Sequence, residues 1–310
     1  MPARNAGTSP ATSSADRELV FTRVFDAPRE LVFDAFTNPE HLAKWWGPQG
    51  FTTTVHEMDV RPGGIWRLTM HGHDGRDYHN RIVMLEVVKP DRLVFRHEPD
   101  HDSERVTHQT TVTFNSHRGK TLLTMRLLFD SPATRAHVIK TYGAIEGGHQ
   151  TLSRLIGHLQ SATGKPSSVA APLFISRLLN ASRNLVFEMW SKPEHLARWW
   201  GPNGFTLPRC KMDFRTAGAF QLVMRAPDGA DFPLRGEYLE IIEPERIAFH
   251  EFHSQHGHEV FTIITLLEED GKTRLIVQQA YLFESDATQG APEGWQQTLN
   301  RLESALATSL

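Results

Sequence analysis

The segment PEHLAKWWGPQGF, residues 39–51, occurs twice in this chain with almost no change. The second copy, PEHLARWWGPNGF, occupies residues 193–205 and begins 154 residues further along. Eleven of the thirteen positions are identical, and the other two exchange Lys for Arg and Gln for Asn. A repeat at this distance has the length of a domain, because solenoid units are only about 20–50 residues long. The sequence therefore predicts two copies of one domain.

The same offset aligns the elements on either side of the repeated segment. Each copy begins with a short apolar strand, residues 19–25 and 173–179, followed by an amphipathic helix. The proline that opens the segment suits the first turn of a second short helix, and Gly-Pro after the two tryptophans ends it. We expect a disordered tail, a first domain, a linker and a second domain at residues 1–16, 17–160, 161–172 and 173–310.

Strand patterns fill the middle of each copy. Residues 63–70 and 218–224 alternate apolar with other residues at a period of two, which is typical of a sheet with one face against a core. A long amphipathic helix closes each copy, at residues 146–159 and 293–306. Because the connections are short, we predict an antiparallel meander whose apolar face is covered by that helix, an α+β fold.

The composition excludes several classes of partner. The chain has 33 Lys and Arg residues against 36 Asp and Glu, so it lacks the positive charge that binding to nucleic acid or an anionic membrane requires. The single cysteine, Cys210, cannot form an intrachain disulfide. No apolar run reaches the roughly 18 residues that span a bilayer, and the first residues lack the apolar centre of a signal peptide. We expect a cytoplasmic protein.

Several motifs together resemble a known family. LVFDAFTNPEHLAKWWGP, DVRPGG, VVKPDRLVF and GAIEGGHQTLSRL follow one another in the first copy, and counterparts follow in the same order in the second. They resemble the Activator-of-Hsp90-ATPase-homologue-1-like (AHSA1-like) group of the START-like, or SRPBCC, superfamily. The resemblance implies two helix-grip domains, each a curved antiparallel sheet around a long C-terminal helix with a cavity between them.

The candidate site residues are aromatic, methionine and polar side chains expected to face these cavities. Aromatic residues and Met suit an adaptable apolar pocket, although the same residues also form ordinary cores. In the first domain they are Trp45, Trp46, Trp66, Met70, Tyr78, His79, Phe95, His97 and Met125, and in the second Trp199, Trp200, Phe220, Met224 and Phe249.

The paired tryptophans have two alternative roles. Neighbouring residues in a helix point about 100° apart, so Trp45 and Trp46 cannot face the same surface. We expect one ring to pack inward as a fold staple and the other to line the mouth of the cavity.

One difference between the copies bears on cavity size. The closing helix has Gly148 in the first copy where the second has Trp295. An indole would occupy volume under the sheet, whereas glycine leaves room. We therefore expect the larger cavity in the first domain and a more solid core in the second.

Metal, cofactor and thiol chemistry are not expected. The chain has no Gly-rich phosphate loop, nucleophile elbow or Cys-x-x-Cys pair. The histidines at 71 and 73 and those within 253–258 are unmatched in the other copy, and a metal site needs three or four converging ligands. Cys210 is interpreted as a packing residue.

Three functions remain open. The leading hypothesis is a binder of a small hydrophobic or aromatic molecule, mainly in the first domain. The second is an enzyme of cyclase or hydrolase type that uses Tyr78, His79 or His97, with His108 as a further candidate for the cavity. The third is a chaperone-associated interaction module, although no segment here matches the separate Hsp90-binding domain of the eukaryotic co-chaperone, so we do not expect a chaperone partner. The two domains are also candidates to dock on each other.

Overall fold

The computed structural model describes residues 14–98, 107–164, 170, 172–253, 258–282 and 286–308. Each copy of the repeat forms one seven-stranded antiparallel sheet with a long C-terminal helix. The predicted α+β class and the tandem helix-grip arrangement are therefore confirmed.

The first domain begins with a 3-10 turn at Ser14–Arg17 and then places one strand and two short helices before the meander. Its elements are β1 Glu18–Phe25, α1 Arg29–Thr37, α2 Pro39–Trp45, β2 Thr52–Met58, β3 Ile65–His71, β4 Asp77–Val88, β5 Arg92–Glu98, β6 His108–His117, β7 Lys120–Phe129, α3 Pro132–Tyr142 and α4 Ala144–Thr163. The strand order is β1-β7-β6-β5-β4-β3-β2, so the first strand pairs with the last.

The second domain repeats this order. Its elements are β8 Leu173–Leu179, α5 Arg183–Ser191, α6 Pro193–Trp199, β9 Thr206–Met212, β10 Ala219–Arg225, β11 Asp231–Ile242, β12 Arg246–His253, β13 His258–Glu269, β14 Lys272–Tyr281 and α7 Asp286–Ala307. Its strand order, β8-β14-β13-β12-β11-β10-β9, is the same as in the first sheet.

Three details differ from the sequence expectation. The sequence patterns do not predict helix α3. Val138 is the one buried residue among its eleven residues, and the segment has no clear apolar stripe. The end of the predicted tail is ordered, since Asp16 accepts a hydrogen bond from Arg183 at 2.7 Å. The first residues of the predicted linker continue α4 to Thr163. The rest of the tail, residues 1–13, and linker residues 165–169 and 171 lie outside the described residues.

In each copy, the first tryptophan of the pair has a different role from the second. Trp45 and Trp199 are fully buried, and their indole Nε1–H groups donate to the carbonyl oxygens of Ala35 and Met189, each at 3.0 Å. These bonds join each second short helix to the first one. The next tryptophan leaves the helix with extended backbone (ψ 131° for Trp46 and 132° for Trp200), and its ring meets the ring of its neighbour edge to face, with centroids 5.4 and 5.5 Å apart.

An arginine on each closing helix holds the turn that follows. Arg154 Nη1 donates to the carbonyl oxygens of Gly47 and Pro48 at 2.9 and 3.0 Å. Arg301 makes the same two bonds in the second domain, to Gly201 and Pro202, both at 2.9 Å. Gly47 has a φ of 99°, in the left-handed region that favours glycine. The repeated segment is thus tied to the helix that closes its own domain.

The two domains contact each other through the outer face of β1. Val20 packs with Ala248 and Ile263 in one buried cluster, and its carbonyl oxygen accepts a hydrogen bond from Gln278 Nε2 at 3.1 Å. The buried guanidinium of Arg246 forms an ion pair with Glu18 at 2.7 Å.

The two tryptophans of the second domain allow a direct test of the staple. Trp199→Phe removes a donor from a buried carbonyl, whereas the buried Nε1 of Trp200 has no hydrogen-bond partner among the described residues. We expect Trp199→Phe to lower the free energy of unfolding by about 1–3 kcal/mol more than Trp200→Phe, measured by urea denaturation. Equal losses, or a larger loss for Trp200→Phe, would contradict the staple.

Candidate functional site

Each domain has a partly open cavity between its sheet and its closing helix. The cavity of the first domain measures about 190 Å³. The second domain has a cavity of about 200 Å³ and a smaller pocket of about 20 Å³ beside it. The expectation of a larger cavity in the first domain is therefore wrong.

Two compensating exchanges explain the similar volumes. A Cβ atom at Gly148 would lie 2.4 Å from the ring of Phe21 on β1, so the glycine makes room for that ring rather than for a ligand. In the second domain the position of Phe21 is taken by the smaller Ile175, at the same offset of 154 residues. Trp295 does not fill its cavity but forms part of the wall, packed against Trp200 with ring centroids 5.8 Å apart.

Six of the nine first-domain candidates line the first cavity. They are Trp45, Trp46, Met70, Phe95, His97 and Met125. The cavity is also bounded by polar groups of Asn80, Thr110 and Thr151. The sequence thus brings together an apolar wall with a few polar groups, the usual composition of a small-molecule site.

The other three first-domain candidates lie away from the cavity. Trp66 is fully buried behind Trp46 and Phe95. Tyr78 lies at the end of β4 against Phe51, with ring centroids 5.6 Å apart. His79 is exposed and hydrogen-bonded to Thr69, because alternation along β4 turns it to the outer face while Asn80 faces the cavity. Tyr78 and His79 are therefore not brought together with His97.

The second-domain candidates divide between two spaces. Trp200 and Met224 line the larger cavity. Phe220 and Phe249 line the smaller pocket, which Trp200 also borders. Trp199 is fully buried as the staple of its helix pair.

Two histidines from neighbouring strands meet inside the first cavity. His97 on β5 and His108 on β6 are paired across the sheet, and their rings stack with centroids 4.2 Å apart and planes 16° apart. Burial lowers the pKa of His108 to about 4, and the charge of Asp130 opposes this shift. Burial, and then repulsion from His108, lower the pKa of His97 well below its usual value. Both rings are neutral at pH 7 and offer nitrogen donors and acceptors to a ligand.

The second cavity is lined by several polar side chains that are not among the candidate residues predicted from the sequence. Gln279 Oε1 accepts hydrogen bonds from Tyr281 Oη at 2.8 Å and from Trp295 Nε1 at 2.9 Å. The buried side chain of Glu251 also faces this space. Alternation along β12 contains the signal for Glu251, because it lies two residues after the inward-facing Phe249.

His71, His73 and Cys210 each contact a neighbouring residue. His71 is hydrogen-bonded to Asp77 at 2.7 Å, and His73 packs against Phe51. Among the described residues, no group of three or more His, Cys, Asp or Glu side chains is placed to hold a metal ion. The histidine side chains at 253, 256 and 258 lie outside the described part. Burial raises the pKa of the half-buried Cys210 to about 11, which disfavours a reactive thiolate.

No described helix is both long enough and apolar enough to cross a membrane.

No curated protein matches this chain. Three of the solved structures to which the chain is similar each match about half of it. Protein Ms6760 from Mycobacterium smegmatis is 26% identical over 49% of this chain and 96% of its own, with a TM-score of 0.43. Protein CV1439 from Chromobacterium violaceum is 28% identical over 44% and 96%, with a TM-score of 0.41. The AHSA1 protein from Silicibacter pomeroyi is 25% identical over 45% and 100%, with a TM-score of 0.41.

A family model matches the chain twice and covers most of both copies. Its description is Activator of Hsp90 ATPase homolog 1-like protein, and the matched segments are residues 26–160 and 180–307. Each segment includes the tryptophan pair and the closing helix of its domain. The chain therefore belongs to the AHSA1 family and carries two copies of its domain.

Proposed function

We propose that this protein binds a small, uncharged hydrophobic or aromatic molecule, mainly in the cavity of the first domain. The observation that carries the proposal is the stacked pair His97 and His108, which lies in an otherwise aromatic and methionine-rich wall. The two cavities have similar volumes, so the choice of the first domain as the binding site rests on the residues that line its cavity.

The lining suits a ligand with one polar group. Apolar ligand surface removed from water contributes roughly 25 cal/mol per Å². A neutral imidazole in this setting accepts a hydrogen bond from a hydroxyl group without the cost of burying a charge. The buried Nδ1 of His108 has no partner among the described residues, so a bound hydroxyl would supply one. A phenol-like molecule therefore fits better than a hydrocarbon.

An enzyme that uses the same pair is the second candidate, because two titratable groups converge in one cavity. The low pKa of His108 weakens this reading, since a general base works best with a pKa near the operating pH. His79, a candidate for such chemistry in the sequence analysis, is exposed on the opposite face of the sheet. We therefore favour binding over catalysis, and the chaperone-associated alternative rests on the family description alone.

Matched threonines on the two closing helices test which cavity is used. Thr151 lines the first cavity and Thr298 the second, and each hydroxyl donates to the carbonyl four residues earlier. We expect Thr151→Phe to fill the first cavity and to weaken binding of 2-naphthol by at least about tenfold, as measured by calorimetry. Thr298→Phe should leave that affinity unchanged.

Naphthalene is the control ligand, and we expect it to bind the wild type more weakly than 2-naphthol by about tenfold, the value of one hydrogen bond. Absence of 2-naphthol binding, or its loss in Thr298→Phe but not in Thr151→Phe, would reject the proposal.

The neutral pair also predicts acid sensitivity. The pKa of His108 is about 4 in the folded protein and near 6.5 when unfolded, so the unfolded chain binds more protons between these values. Its contribution to stability is complete above pH 6.5 and is lost as the pH falls towards 4. Between pH 7 and 5 we expect the free energy of unfolding to fall by about 2 kcal/mol more in the wild type than in His108→Val. Valine is the residue at this position in the second domain, and equal pH dependence of the two proteins in urea denaturation would show that His108 is not held neutral.

A further inference from the structure

The interior of the second domain contains indole rings where the first domain has smaller residues. Trp190 on α5 occupies the position of Phe36 in the first copy. Trp295 on α7 occupies the position of Gly148. The ring centroid of Trp190 lies 5.7 Å from that of Trp200 and 6.4 Å from that of Trp295. Because an indole carries an N–H donor that a phenyl ring lacks, the second domain has gained buried hydrogen-bond donors as well as aromatic surface.

Two of these donors have no acceptor in the protein. The Nε1 atoms of Trp190 and Trp200 are buried and have no hydrogen-bond partner among the described residues. Trp295 differs, since its Nε1 donates to Gln279 Oε1 at 2.9 Å. A buried donor without an acceptor destabilises the state that contains it. Two such donors in adjacent rings therefore favour the binding of an acceptor from outside the protein.

The residues that carry the unpaired donors line the interior spaces of this domain. Trp190 and Trp200 both border the pocket of about 20 Å³, and Trp200 also borders the cavity of about 200 Å³. The smaller space has room for one oxygen-sized group, because a water molecule needs about 10–15 Å³. The larger space has room for the apolar part of a ligand. The pair of spaces thus suits an apolar molecule with one acceptor atom.

Three other donors of this lining are already bonded within the protein. Tyr281 Oη donates to Gln279 Oε1 at 2.8 Å, and Gln279 Nε2 donates to Thr262 Oγ1 at 3.0 Å. Thr298 Oγ1 donates to the carbonyl oxygen of Gly294 at 2.7 Å. Among the described residues that line the two spaces, none is histidine, lysine or arginine. The imidazole nitrogens that characterise the first cavity therefore have no counterpart here.

A carboxylate side chain favours a neutral acceptor over an anion. Glu251 borders both spaces, and it already interacts with other groups of the protein, including Tyr281. Its negative charge repels an anionic ligand. A carbonyl oxygen accepts two N–H bonds through its two lone pairs and carries no net charge. Glu251 itself is not needed as a partner of such a ligand.

We propose that the second domain binds a neutral apolar ketone or a similar carbonyl compound, whose oxygen accepts hydrogen bonds from the indole N–H groups of Trp190 and Trp200. The inference rests on the proposed function only in treating the space between sheet and helix as a ligand site. The two domains would then select ligands by opposite hydrogen-bonding roles. The first offers an acceptor nitrogen of His108 to a hydroxyl group, and the second offers two donors to a carbonyl group.

Acetophenone and isopropenylbenzene provide the test, because they have nearly the same shape and differ by an oxygen atom in place of a methylene group. In the full chain with isotope-labelled tryptophan, the indole N–H resonances of Trp190 and Trp200 report on the second domain directly. They are identified by their loss in Trp190→Phe and Trp200→Phe. We expect acetophenone to move both resonances downfield relative to isopropenylbenzene and to bind at least about tenfold more tightly.

Trp190→Phe introduces the residue of the first domain and removes one donor. We expect it to lower the ratio of acetophenone affinity to isopropenylbenzene affinity by at least about threefold, as measured from the Trp200 resonance. Because the two ligands have one shape, the ratio is insensitive to the volume that the smaller ring leaves. The matched control is Trp66→Phe, which removes an unpartnered indole donor outside the cavity linings and should leave the ratio unchanged.

Equal wild-type affinities for the two ligands, the absence of the downfield shifts, or an unchanged ratio in Trp190→Phe would overturn the proposal. If Trp190→Phe does not fold, as judged by circular dichroism, Trp200→Phe decides from the Trp190 resonance: a lowered ratio supports the proposal, and an unchanged ratio overturns it. Binding of 2-naphthol and its response to Thr151→Phe report on the first cavity separately, so failure of one proposal is distinguishable from failure of the other.

Discussion

The clamp between an arginine of the closing helix and the Gly-Pro turn is the interaction on which each domain depends. Arg154 and Arg301 each bind the carbonyl oxygens of the turn that follows the tryptophan pair. The clamp joins an early segment to the last helix and so sets the distance between that helix and the sheet edge. Gly47 packs against a cavity methionine, since a Cβ there would lie 3.3 Å from Met70 Sδ. Within the repeated segment, the first tryptophan and the Gly-Pro turn thus each bond to another part of their own domain.

Duplication has conserved the volume of the cavity and changed its chemistry. The first domain combines a glycine on the helix with Phe21 on the strand, and the second combines a tryptophan with the smaller Ile175, so each pair has one large and one smaller residue. Polar exchanges are not constrained in this way, because replacing His97 by Glu251 alters charge with little change in size. A cavity between a sheet and a helix therefore tolerates changes in the polarity of its lining more easily than changes in its shape.

The period-two strands, the repeated segment and the amphipathic closing helices were enough to predict the α+β fold, because each pattern is local. The cavity volumes were not predictable, since the effect of Gly148 depends on Phe21, which lies far away in sequence on another strand. The exposed position of His79 follows from the alternation that turns Asn80 inward, so the signal was present. The stacking of His97 on His108 required strand register, which hydrophobic pattern alone does not specify.

The contact between the domains uses the outer faces of β1 and β14, whose inner faces belong to the interiors of the two domains. On β14, Gln278 donates to the carbonyl of Val20 while the next residue, Gln279, faces the second cavity. On β1, Val20 packs against the second domain while the next residue, Phe21, packs beneath the helix of the first. Because side chains alternate along a strand, β14 serves the contact with one face and the second cavity with the other, and β1 serves the contact with one face and the core of the first domain with the other. Separation of the domains would expose this apolar contact and the Glu18–Arg246 ion pair, so the two domains stabilise each other in the intact chain.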